Sequence, residues 1–303
     1  MTAGGNVGNI YDLGYQGYDG PRLGRRSVGW ALLVQTVRAA YGIGRGGRAK
    51  IAPFGLAAFA LLPAVIEDGV RALMTQAGAA AAAIQEASPI RHDSYLGLSA
   101  TIVMLFCAAQ APELFGRDQR YGVLPLFFSR SLARADYALA RLGGLLVAIF
   151  ALTIAPHVVL TVGAAFAASD PITGLAADAR AVPPSIGVSL LTAGVLGGIS
   201  SVVAAWTPRR AYATATIIGI FVVPPIVVAL SARLAAGGLA RVLILGSPGD
   251  ILDGANAALF GTIPDSPAVA ASGLPGWAYV LAAAILVAAC IGLVVRRYQR
   301  VAV

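Results

Sequence analysis

Residues 113–141 read ELFGRDQRYGVLPLFFSRSLARADYALAR, and this stretch decides how the rest of the chain is to be placed. It lies between two long apolar runs, yet it holds five arginines (Arg117, Arg120, Arg130, Arg134, Arg141) and three acids (Glu113, Asp118, Asp136). Hydrocarbon does not accept that density of charge. The flanking runs are therefore expected to be separate membrane spans joined by a loop outside the bilayer, and its arginines put that loop on the cytoplasmic side. Within it Val123, Leu124, Leu126, Phe127 and Phe128 form a compact apolar block just after Gly122, with arginine on both sides. An apolar block in a charged loop needs a surface to press against, either a membrane or a protein partner.

Composition agrees with spans. Of the 303 residues 58% are hydrophobic and only 12% charged, and the mean hydropathy is +0.78. These values point to one multi-pass membrane domain. The net charge of +8 would suit nucleic acid on its own, but the arginines gather at the ends of apolar runs, as membrane topology requires, so no nucleic-acid partner is expected. Cys107 and Cys290 both fall inside apolar runs, which argues against a structural disulfide or a metal site.

Six runs approach the roughly 17–25 residues that cross a bilayer: 51–66, 96–112, 142–165, 185–206, 211–232 and 277–295. The expected fold is all-α, with six transmembrane helices and both termini cytoplasmic. Three parts follow: a tail over 1–27, an interfacial helix with a basic turn over 28–50, and a span domain over 51–303. Two connections inside the span domain stand out, the charged loop 113–141 and an outer helical loop 233–276. In this arrangement the cytoplasmic segments carry 17 of the 22 basic residues, and the outer loops hold nine of the 14 acids. Flipping the chain would invert that bias.

The connecting segments carry signals of their own. Residues 1–26 lack an apolar core of signal-peptide length and hold Tyr11, Tyr15 and Tyr18 among Gly and Pro, a tail that either docks beneath the spans or stays disordered. From Val28 to Tyr41 the residues Trp30, Leu33, Val34, Val37 and Tyr41 repeat at helical spacing, with Gln35 and Arg38 on the other face. That pattern predicts an amphipathic helix in the membrane interface, in contact with lipid. Gly42, Gly44 and Gly47 have dinucleotide-fingerprint spacing but follow a helix and precede a span, and Lys50 is followed by Ile51; no nucleotide site is expected there. Ser247-Pro248-Gly249-Asp250 is a helix start, with Ser247 as cap and Asp250 closing a capping box. A surface helix should follow, with Ile251, Leu252, Ala255, Ala258 and Leu259 on one face and Asp253 and Asn256 opposite. The alanine run at 78–83 also favours helix.

Inside the spans, His157 is the one ionisable exception. Beside Pro156, it either bonds a carbonyl that the proline frees or contacts a substrate or proton. Pro224 and Pro225 are expected to kink the fifth span. Gly194 and Gly198 make a GxxxG pattern that favours a close helix contact.

The loop also carries a resemblance. An arginine-bearing turn, then Gly122-Val123-Leu124-x-x-Phe127-Phe128-Ser129-Arg130, then Arg134-x-x-Tyr137-x-x-x-Arg141, resembles the coupling loop of type-2 ATP-binding-cassette (ABC) export permeases. It departs from that pattern at Val123, where Thr is frequent, and at Ser131, where Pro is usual. The resemblance implies that Arg117, Arg120, Gly122, Leu124, Phe127, Phe128, Arg130, Arg134 and Tyr137 engage a cytoplasmic ABC ATPase. It further implies that Trp30, Leu33, Val34, Val37 and Arg38 belong to the family's elbow helix, and that His157, Pro156, Pro224 and Pro225 shape a substrate path or a kink. Such a permease is not an enzyme and binds no cofactor. It pairs with a second copy or a related permease, and two ATPase subunits carry the ATP-Mg. Its expected place is the bacterial plasma membrane, and its cargo a hydrophobic or amphipathic compound. The competing reading is an ion-coupled secondary transporter, which commonly needs acidic residues within its spans.

The charge asymmetry gives a direct test. With Cys107 and Cys290 replaced by Ala, a cysteine introduced at Ser266 should react in intact cells with a membrane-impermeant maleimide, and one at Ser131 should not. Labelling at Ser131 from outside rejects the orientation.

Overall fold

The structure, a computed structural model, describes residues 20, 24–74, 90–129, 132–168, 170–233 and 237–300. The expectations placed on Tyr11, Tyr15 and Tyr18, on the alanine run at 78–83 and on Arg130 and Ser131 lie outside the described residues. Among those described, every regular element is helical. In chain order they are α1 (Arg25–Ala40), α2 (Arg48–Met74), α3 (Tyr95–Arg120), α4 (Leu124–Phe128), α5 (Arg134–Ala167) and α6 (Pro171–Asp178). A 3₁₀ turn (Ala179–Ala181) leads into α7 (Val182–Trp206), then α8 (Arg210–Arg233), α9 (Gly237–Ile244), α10 (Pro248–Phe260), α11 (Pro267–Ala271) and α12 (Gly276–Gln299).

Six of these segments are long and apolar enough to cross a membrane: α2, α3, α5, the stretch Pro171–Trp206 that contains α6 and α7, α8 and α12. That is the architecture of a multi-pass membrane protein. The helices overrun the expected spans. α3 continues through Glu113–Arg120, and α5 starts at Arg134 instead of Leu142. Most of the charged stretch 113–141 is therefore helix, not loop, and the connection between α3 and α5 shrinks to 121–133, with α4 inside it. The reason is local: nothing breaks the helix before Gly122, and ion pairs satisfy the charges on the projecting turns.

α5 is the axis of the bundle, with α1, α2, α3, α6, α7 and α12 packed along it. Its 34 residues span about 51 Å at 1.5 Å per residue, well beyond the roughly 30 Å of a hydrocarbon core. Glycines set the close approaches. A Cβ at Gly144 would lie 2.5 Å from the Thr36 side chain, so α1 lies directly on the backbone of α5. On α7, Gly194 faces Val287 and Gly198 faces Cys290, while Gly197 meets Leu146 and Ile149. The GxxxG face thus receives α12, and the glycine beside it receives α5. α8 is continuous over Arg210–Arg233 with Pro224 and Pro225 inside it.

The connection between the fifth and sixth spans departs from expectation. Ser247 caps α10, accepting a hydrogen bond from the Asp250 N–H at 3.4 Å. The capping box does not close, because the Ser247 N–H is already donated to the Ile244 carbonyl and the Asp250 carboxylate instead accepts from the Ser266 hydroxyl at 2.9 Å. Nor does α10 lie on a surface. Ile251, Leu252, Gly254, Ala255 and Asn256 are buried while Ala258 and Leu259 are exposed. The Tyr279 ring covers Gly254, where a Cβ would come within 2.4 Å. Asn256 donates to the Asp93 carbonyl at 2.6 Å, so the polar face expected to meet water is used inside the protein. Asp253 accepts the N–H groups of Asp265 and Ser266, and burial pushes its carboxyl up against those donors.

Candidate partner-docking face

The site is built from the end of α3 outward. The Gly122 N–H donates to the Gln119 carbonyl and the Val123 N–H to the Asp118 carbonyl. With Gly122 at φ 62°, this is a Schellman stop, which needs a left-handed residue that glycine adopts without strain. The stop turns the chain so that the short helix α4 lies across the bundle end, with the Leu124 side chain buried beneath it.

Under α4 sits a polar and aromatic knot. Arg141 is 7% exposed and forms an ion pair with Asp118. Tyr137 donates to the same Asp118 oxygen at 2.5 Å, and Arg141 also reaches Tyr137 at 3.3 Å and the Thr36 hydroxyl at 3.4 Å. The Tyr137 ring meets Phe127, Phe128 and Tyr298 at centroid distances of 5.3, 5.7 and 5.2 Å. Arg134 stacks over Phe128 at 5.7 Å and donates to the Gln299 carbonyl. Gln119 and Arg297 both donate to the Ala205 carbonyl. The ends of α1, α3, α5, α7 and α12 therefore meet at this knot, and α4 rests on it.

This arrangement divides the apolar block. Leu124 is buried and Phe127 and Phe128 are half-buried against the chain's own Tyr137, so part of each ring is already covered within the chain. The outward residues are Leu126, 69% exposed, and Tyr121, 72% exposed. Arg117 and Arg120 do not point freely outward either. With Arg45 and Arg210 they surround the Glu113 carboxylate at 3.3 to 3.9 Å.

The face of α1 is also reassigned. Leu32, Thr36 and Ala40 are its buried stripe, with Leu33 half-buried over Gly143. Trp30 and Val34 point away from the bundle, as does Arg38, and Val37 is intermediate. Burial selects the side that fits the α5 glycines, which is not the side with the largest apolar residues. Tyr41 closes the helix, its hydroxyl donating to the Ala148 carbonyl at 2.8 Å, and burial pushes that phenol up to about 12. Gly42 and Gly44 follow at positive φ in a turn between two helices. Between α1, the end of α3 and α4 lies an open groove of about 1490 Å³, lined by Trp30, Val34, Arg38, Tyr121 and Leu126 among others.

At the opposite end of the bundle the two histidines of the chain meet. His157 pairs with His92 through their Nδ1 atoms at 3.0 Å, with the rings stacked, rather than with a carbonyl released by Pro156. His92 Nε2 lies 3.0 Å from Asp178. A carboxylate accepts, so His92 donates through Nε2 and its Nδ1 accepts from His157. The Ser185 hydroxyl is 3.3 Å from that same Nδ1 and donates to the Ala181 carbonyl. The sequence signals only His157, because His92 and Asp178 fall outside the six apolar runs and gain meaning only once folded together.

Compared with known proteins, the chain matches no protein-family model and no curated protein. Of the residues at this face, Tyr121, Asp118 and Tyr298 were given no role by the sequence reading, and Arg141 appeared there only as the end of the loop motif. Of these, Asp118 and Arg141 carried a signal, two opposite charges at the two borders of one connection.

The knot makes a stability prediction. Removing one partner of a buried ion pair leaves an unpaired charge and costs about 3–5 kcal/mol. Asp118→Ala should therefore lower the thermal unfolding midpoint in detergent clearly, and adding Arg141→Met should restore most of the loss. An unchanged midpoint for Asp118→Ala would show that the pair contributes nothing.

Proposed function

We propose that the chain is the membrane-spanning permease subunit of an ABC exporter, with both termini cytoplasmic and α1 as its elbow helix. It works as a dimer in the bacterial plasma membrane, moves a hydrophobic or amphipathic compound outward, and draws on ATP hydrolysed by separate ATPase subunits. The observation that carries this reading is the mounting of α4. A short helix with Leu126 exposed at its tip, beside the exposed Tyr121 at the end of α3, is braced from behind by Tyr137, and Tyr137 is bonded to Asp118 and packed on Tyr298. A push on α4 therefore reaches α3, α5 and α12 through buried contacts, as a lever must if it is to convert motion of a partner into movement of spans. The arginine-rich turn and apolar block that resemble the coupling loop lie at this same place.

A second reading, an ion-coupled transporter, is favoured by one observation: Asp178, His92 and His157 form a chain of protonatable groups inside the bundle. Under the leading reading the same groups tie the outer ends of the helices together.

The test co-expresses the chain with the ABC ATPase subunits of its own genome, one at a time. Leu126→Asp puts a charge at the centre of the apolar tip without touching the knot. It should keep the wild-type unfolding midpoint but lose ATPase co-purification at least tenfold, about 1.4 kcal/mol or more. The chain purified alone should hydrolyse no ATP. Full ATPase recovery with Leu126→Asp, or hydrolysis by the isolated chain, overturns the reading.

A further inference from the structure

Near the histidine pair, α2 brings three charged residues against the bundle. Arg71 donates to the Glu67 carboxylate at 3.1 Å, so the cation on this turn is already engaged. Asp68 presses on the backbone of α5 at Gly163, where a Cβ would lie 1.9 Å from its carboxyl carbon. Its Oδ1 is buried and has no hydrogen-bond partner among the described residues. Asp178, the third carboxylate here, faces His92. Three carboxylates thus share one guanidinium and two imidazoles. The adjoining segment 75–89 has no Lys, Arg or His in its sequence and so supplies no further cation.

The Asp68 carboxyl also lines a crevice of about 370 Å³ between α2 and α5. Its other walls are Ala72, Val158, Val159, Val162, Gly163, Phe166 and Ala167. Phe166 at 82% exposure and Val158 at 53% form an open apolar mouth. The volume falls within the roughly 300–1,000 Å³ of small-molecule sites, which characteristically pair apolar walls with few polar groups. One oxygen of this half-buried carboxylate is withdrawn from water and unbonded, which is costly, and Arg71, the cation on its own helix turn, is bonded to Glu67 instead. The occupant that relieves it must be positive, and the occupant that fits these walls must be apolar.

We propose that this crevice binds a lipophilic organic cation, with Asp68 as its counter-ion. An anion of the same shape meets excess negative charge, and a neutral compound leaves the carboxylate unpaired. The site is a property of this chain alone and does not depend on the export reading.

The experiment uses the purified full chain in an uncharged detergent, with radiolabelled tetraphenylphosphonium as probe and tetraphenylborate, its near-isosteric anion, as control. Saturable binding of the cation is expected, with none of the anion. Asp68→Asn should weaken cation binding at least tenfold without lowering the unfolding midpoint. If that variant fails to fold, Val162→Trp, which fills the crevice and keeps the carboxylate, decides instead and should show the same loss. Equal binding of cation and anion, or wild-type affinity in whichever folded variant is measured, overturns the proposal.

Discussion

The buried pair between Arg141 and Asp118 is the interaction on which the α4 end of the bundle depends. A guanidinium and a carboxylate withdrawn from water are tolerated only when each is also hydrogen-bonded, and Tyr137 and Thr36 supply those bonds. The requirement fixes geometry. Arg141 belongs to α5, Asp118 to α3 and Thr36 to α1, so satisfying one pair aligns three helices. Tyr137, held by that pair, presents its ring to Phe127, Phe128 and Tyr298. The position of α4 and the seating of the end of α12 follow from it.

Away from this knot the bundle relies on shape. Gly144, Gly194, Gly197 and Gly198 let helices approach until side chains of one meet the backbone of the next. In a membrane, where lipid tails are as apolar as the helix surfaces, such packing supplies association that the hydrophobic effect does not. The consequence is uneven burial: 61% of the best apolar window of Pro171–Trp206 is buried, against 17% for α2 and for α8. The central helices have their partners within the chain. α2 and α8 keep broad apolar faces for lipid or for other protein.

The two ends of the bundle have opposite chemical characters. At the α4 end arginines outnumber acids, and one carboxylate, Glu113, serves four of them. At the far end acids outnumber arginines, and histidines complete the hydrogen bonding. This polarity underlies both proposals. An apolar tip set among cations is a place for a protein partner, and a carboxylate in an apolar crevice is a place for a cation.

Much of the architecture was legible in the sequence alone. Runs of apolar residues of bilayer length announce helical spans, because in hydrocarbon each backbone group must be satisfied within its own segment. Ser247 likewise announced a helix start, since a cap acts through its neighbours in the chain. What only the tertiary structure decided was which faces are used. The large apolar side of α1, with Trp30 and Val34, turned outward because the narrow stripe of Leu32, Thr36 and Ala40 fits the α5 glycines. Phe127 and Phe128 turned inward because Tyr137 awaits them, leaving Leu126 and Tyr121 as the outer surface. Asp250 abandoned its capping box for Ser266. His157 found His92, 65 positions away. Periodicity and capping are local and can be read along the chain, whereas the partner of a face or of a charge is set by distant residues that meet only once the helices have packed.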